Sequence, residues 1–146
     1  MNFYTTSSFR ASIQQLTRKP KDGYTSVTFD ICNALLSMPD NILRDTNDRI
    51  RQEIDFRIVK LRIRNSQMKL AKNDGFRLIY WVSTRKDNLV LLTDYPKRGA
   101  HAVGNLTDVE FLRLLKEMLT ENNQQQLQQV DITSTFDVIN SHCKLI

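Results

Sequence analysis

A chain of 146 residues, 40% apolar and 25% charged, is long enough for one domain whose core needs no metal or disulfide staple. Four Gly and three Pro exclude a collagen-like or proline-rich chain, and no apolar run reaches the ~20 residues that span a bilayer. A net charge of +5 is compatible with a polyanionic partner but names none.

The two cysteines, Cys32 and Cys143, form no CxxC, and with only two His there is no clustered ligand pattern, so neither a metal nor a cofactor is expected. This cysteine usage suits a reducing compartment, with a single disulfide left open. The N-terminus MNFYTTSSFR lacks the layout of a signal peptide, and a cytoplasmic protein without membrane attachment is expected.

In chain order, Asn2 to Thr6 predicts a short strand. Ser7 and Ser8 are N-cap types for a helix from Phe9, with Phe9, Ile13 and Leu16 on one face. Arg18-Lys19-Pro20-Lys21 ends that helix and Asp22-Gly23 turns the chain. A second helix carries Val27, Ile31, Ala34, Leu35 and Met38 at helical spacing and closes at Pro39. Such an αα-hairpin leaves apolar stripes for a sheet to cover. Cys32 reads as a small core residue. Residues 40–56 are polar and mixed in charge, a loop with one helical turn.

Three strands follow. Val59, Leu61 and Ile63 alternate strictly with Lys60, Arg62 and Arg64. After a polar connection, Phe76, Leu78, Tyr80 and Val82 share one face of the next strand, and Arg77, Ile79 and Trp81 the other. Beyond the hairpin loop Arg85–Asn88, Leu89 to Asp94 is apolar enough for a central strand buried on both faces. A third helix begins near Leu106: Thr107 and Glu110 form a capping box, and Val109, Leu112, Leu115 and Leu119 supply apolar positions. From Glu121 the chain turns into ENNQQQLQQ. Residues 1–121 are therefore read as the folded domain and 122–146 as an appended glutamine-rich extension with no sustained period. The order strand, helix, helix, strand, strand, strand, helix predicts an α+β sandwich with helices on one sheet face.

Residues 57–98 hold eleven of the 21 Lys and Arg but three of the 16 acids, a net charge of about +8 against −3 for the remainder. If the register sets Arg77 beside Lys60, Arg62 or Arg64, the face becomes a cationic trough, with Trp81 as a surface for base stacking. A solvated sheet face, paired with Glu53 or Asp55, fits the same charges. Tyr80 shares the apolar face and reads as core.

The run GFRLIYWV, a hairpin, NLVLLTDYPKR and a capped helix, behind KLRIRN and a helix pair with FRASIQQL, resembles the RelE/HigB-type toxins of bacterial type II toxin–antitoxin systems over about residues 3–120. The resemblance implies a compact, mostly antiparallel four-stranded sheet with the N-terminal helix pair packed on it. It also implies a metal-independent endoribonuclease that cleaves mRNA, commonly in the ribosomal A site, and so inhibits translation until a cognate antitoxin binds. The chemistry is attack of the ribose 2′-OH on the adjacent phosphate, which needs a base, charge stabilisation and an acid. By the resemblance, Arg77 stabilises the phosphate. Lys60 and Arg62 belong to the catalytic set, Lys60 as a base of lowered pKa. Lys97 and Arg98 lie near the scissile phosphate. Tyr95 and His101 are each either substrate-contacting or merely structural. Arg64, Trp81, Lys69 and Lys72 are expected to bind RNA. Two other readings stand beside it: a ParE-like sibling that poisons DNA gyrase without nuclease activity, and a non-catalytic RNA-binding domain.

Overall fold

A computed structural model describes residues 1–46 and 49–145. The elements are β1 (Asn2–Thr5), α1 (Ser7–Thr17), α2 (Val27–Leu36), α3 (Asp40–Arg44), β2 (Arg49–Gln52), β3 (Phe56–Ile63), β4 (Phe76–Ser83), β5 (Asn88–Pro96), α4 (Asp108–Asn123), β6 (Leu127–Asp131) and β7 (Asp137–Cys143), with short 3₁₀ turns at Pro20–Asp22 and Ile132–Ser134. The class is α+β. All seven strands form one mixed sheet, ordered β2-β3-β4-β5-β1-β6-β7, in which β1 runs parallel to β5 and the other neighbours are antiparallel.

The strict alternation of β3 and β4 has the expected consequence. Val59, Leu61 and Ile63 pack with Phe76, Leu78, Tyr80 and Val82 beneath Phe9, Ile31 and Leu35 of the helix pair. Each such buried side chain contributes roughly 1.5–3 kcal/mol. Tyr80 is core, its hydroxyl donating to the Leu43 carbonyl at 2.8 Å. β5 lies between β4 and β1, and Leu89 to Leu92 are buried. Cys32 and Cys143 are buried free thiols, and burial pushes the Cys32 thiol up to about 11.

Four expectations are corrected. The sheet has seven strands, not four. The segment read as a loop does contain a helical turn, α3, but also β2, which pairs with β3; its residues 47 and 48 lie outside the described residues. The glutamine-rich stretch joins the sheet: β6 pairs with β1, and β7 with β6. The two buried apolar residues of β6, Leu127 and Val130, enter opposite cores, so no single period shows in the sequence. Lastly, helices cover both sheet faces, because α4 packs opposite the helix pair against Tyr4, Ile79 and Leu127.

The capping box of α4 forms as expected, with Thr107 accepting from the Glu110 amide at 3.2 Å. Its apolar face, however, is displaced. Leu114, Met118 and Glu121 are buried, whereas Val109, Leu112 and Leu119 are exposed. What turns the helix is polar. The Ser7 amide donates to Glu121 Oε1 at 3.0 Å and the Ser8 amide to Glu117 Oε1 at 3.1 Å, so α4 caps the N-terminus of α1. Thr6, not Ser7 or Ser8, is the N-cap residue of α1.

Candidate nucleic-acid interface

On the α4 face of the sheet, Lys60 and Arg62 alternate along β3, and Arg62 lies directly opposite Arg77 of β4, which pairs in turn with Tyr95 of β5. Two arginines in register repel. Carbonyl oxygens offset this around Arg77, which is 8% exposed. Its Nη1 donates to the carbonyls of Lys72 (3.0 Å) and Phe76 (3.2 Å), and its Nη2 to that of Asn73 (2.8 Å). The guanidinium thus fastens the 72–76 loop, and its positive charge reaches the surface as a field.

That loop is held equally tightly by its backbone. A Cβ on Gly75 would lie 2.0 Å from the Ile63 carbonyl oxygen, so only glycine fits between the strands. The Gly75 carbonyl accepts from the Lys97 amide at 2.9 Å, which places Lys97 beside Arg77. Further along, the buried Tyr24 hydroxyl donates to the Arg98 carbonyl (2.8 Å) and accepts from the His101 amide (3.1 Å). Gly99, at φ +94°, passes so close that a Cβ would meet the Tyr24 hydroxyl at 2.4 Å.

The chain therefore gathers Lys60, Arg77, Tyr95 and Lys97. Lys97 is held below the usual lysine range, by desolvation first and then by the charges of Arg77, Lys60 and Arg98. Its ammonium donates to the Gly104 carbonyl. Burial raises the Tyr95 phenol, with Arg77 opposing that rise and Asp94 and Glu110 adding to it. The Tyr95 hydroxyl is buried without a hydrogen-bond partner. Beside it, Lys60, Tyr95, Asn105 and Asp108 line a cavity of about 120 Å³.

A second concentration begins at Arg62. β2 pairs with β3 only from Arg57 to Val59, and past that point a groove of about 610 Å³ opens between Ala34 of α2 and the 69–72 loop. Arg62, Arg64, Lys69 and Lys72 line it, and among the described residues no acid does. Two adjoining hollows share Ala34 and continue it past Ser37, one of them with Arg62 and Lys72, the other with Arg64 and with the acid Asp30, whose carboxylate accepts from the Ser26 hydroxyl and the Ser66 amide. The four cations come from β3 and from its connection to β4, an assembly that strand alternation alone does not show.

The remaining candidates lie apart from this groove. Arg98 pairs with Asp74 (Nη2 to Oδ1, 2.7 Å) and His101 Nε2 lies 3.2 Å from Asp22 Oδ2, so both tie loops together. Trp81 pairs across the strands with Ile58 and stacks on Phe56 with centroids 5.8 Å apart. It lines an apolar hollow with Leu115 and Met118 rather than the cationic groove. Sequence reasoning missed Asn105, Asp108 and the buried Asp94. Asp94 is 3% exposed, faces the helix pair opposite Leu78, and has neither oxygen in a hydrogen bond of normal geometry. Burial raises its carboxyl well above the ordinary range, only partly offset by the Tyr95 amide.

Among the described residues, no three or more His, Cys, Asp and Glu gather to hold a metal ion, and no helix is long and apolar enough to cross a membrane. Compared with known proteins, the chain matches no family model, no curated protein and no solved structure.

Proposed function

We propose that this protein binds the phosphate backbone of single-stranded RNA along the groove of Arg62, Arg64, Lys69 and Lys72. The observation that carries this is the groove itself: four cations from two adjoining segments around one open channel, with no acid among its described lining residues. Such a channel tracks a flexible polyanion by charge and releases counterions as it does so. Fluorescence anisotropy with a labelled RNA oligonucleotide tests it. Affinity should fall steeply with salt and fall again in Arg64→Ala.

The narrower reading, an mRNA-cleaving toxin of the RelE/HigB type held inactive by an antitoxin, is supported by the second concentration. Lys97, in its neutral form, would take the 2′-OH proton as that oxygen attacks phosphorus; desolvation and the charges of Arg77, Lys60 and Arg98 enlarge the share of that form. The P–O5′ bond then breaks, leaving a 2′,3′-cyclic phosphate and a 5′-OH that takes up one proton. Lys60 and the field of Arg77 would stabilise the phosphorane charge. Ribosomes programmed with mRNA, with and without EDTA, test this. Cleavage that survives EDTA and disappears in Lys97→Ala supports it. Inhibited gyrase supercoiling without cleavage would favour the ParE-like alternative, and salt-dependent binding alone the non-catalytic one.

A further inference from the structure

We infer that the cavity between the sheet and the start of α4 is a pocket for one unstacked nucleobase of the bound strand, with guanine preferred. This rests on the RNA-binding reading above and adds sequence recognition to it. The walls have the chemistry a flat heterocycle requires: Ile79 below, with Leu106 and Phe111 at the side, provide apolar and aromatic surface. Asn105 and Asp108 supply polar lining, and Tyr95 lines the cavity too, its hydroxyl buried and lacking a partner. The Tyr95 hydroxyl is thus a polar group behind this wall for which the described residues supply no partner.

The same composition argues against a phosphate in this cavity. Asp108 lines it and the Glu110 charge reaches Tyr95, so an anion placed there meets two carboxylates. A carboxylate is an acceptor only and selects a base that presents donors. Guanine offers adjacent N1–H and N2–H donors on one edge, which Asp108 can accept as a pair, whereas uracil presents a single ring N–H. Lys60 reaches the cavity from β3, two residues before Arg62, and so links the base pocket to the phosphate groove. At about 120 Å³ the cavity suits one base and not a stacked pair.

The test compares three labelled RNAs of equal length: an oligouridine, the same strand with one central guanosine, and the same strand with one central abasic site. Wild-type protein should bind the guanosine strand roughly 5- to 150-fold tighter than the oligouridine, the range of a good bidentate contact. Asp108→Asn, at an exposed helix position, should abolish that preference, read as the ratio of guanosine-strand to oligouridine affinity within the variant, and Phe111→Ala should lower affinity for both base-bearing strands toward the abasic value. Equal binding of all three strands by wild type, still weakened by Arg62→Ala, would overturn the pocket and leave the groove standing. Failure of all three to bind at low salt would overturn both.

Discussion

The helix-pair face and the α4 face of β3, β4 and β5 are built from the same strands and finished in opposite ways. Toward the helices, Val59, Leu61, Ile63, Phe76, Leu78 and Tyr80 close an apolar core in which Asp94 is buried opposite Leu78. Toward α4, the positions between them are Lys60, Arg62, Arg77 and Tyr95, and α4 covers only part of the face. The difference shows how one alternating pattern serves two ends: each apolar residue that fixes the register also fixes which way its cationic neighbour points. It also shows that alternation assigns a face without assigning exposure. Arg62 and Arg77 are cross-strand partners, yet Arg62 is exposed and Arg77 is buried against carbonyl oxygens.

The largest effect should come from breaking what holds the cationic face in place. Arg77→Ala leaves the carbonyls of Lys72, Asn73 and Phe76 without their charged donor and should cost about 2–4 kcal/mol in denaturant unfolding. Loss of RNA cleavage or binding in that variant is therefore informative only alongside its melting curve. Met118→Ala, on the buried face of α4, should cost about 2–3 kcal/mol, the lower part of the range for emptying a buried site. Gly75→Ala should cost about 1–3 kcal/mol by forcing a methyl against the Ile63 carbonyl.

Asp94 sharpens the comparison from the apolar side. Its folded pKa is raised, so the native state holds a proton that the unfolded chain releases between the ordinary carboxylate range and that raised value. Its contribution to stability is fully present below the ordinary range and is lost as pH rises through the folded pKa. Unfolding free energy measured across that window should decline with pH in wild type and lose this slope in Asp94→Asn. The smallest effect belongs to the outer side of α4, where Leu112→Ser should change stability by no more than about 0.5 kcal/mol.

Much of this was legible in the sequence, for physical reasons that also mark the limits. Period-2 alternation from Val59 to Val82 named the two sheet faces, because a strand has only two sides to offer. Thr107 and Glu110 named the start of α4, because orphan amides select those side chains at that spacing. The exposed leucines of α4 were not separable from the buried ones, since the helix is apolar on two sides and the docked side is chosen by Glu117 and Glu121 reaching Ser8 and Ser7. β6 and β7 were hidden because their ladder is made by backbone groups under polar side chains. The burial of Arg77 was hidden for a related reason: its partners are carbonyls of a loop, which carry no sequence signal.

The direct test of the central claim is the salt dependence of RNA binding by wild type and by Arg62→Ala, at matched folded stability. The account predicts that log K falls linearly with log salt, and that removing Arg62 lowers affinity and makes the slope shallower by about 0.7, the share of one phosphate contact on a single strand. A slope unchanged by the loss of Arg62, or no binding at low salt, would contradict it.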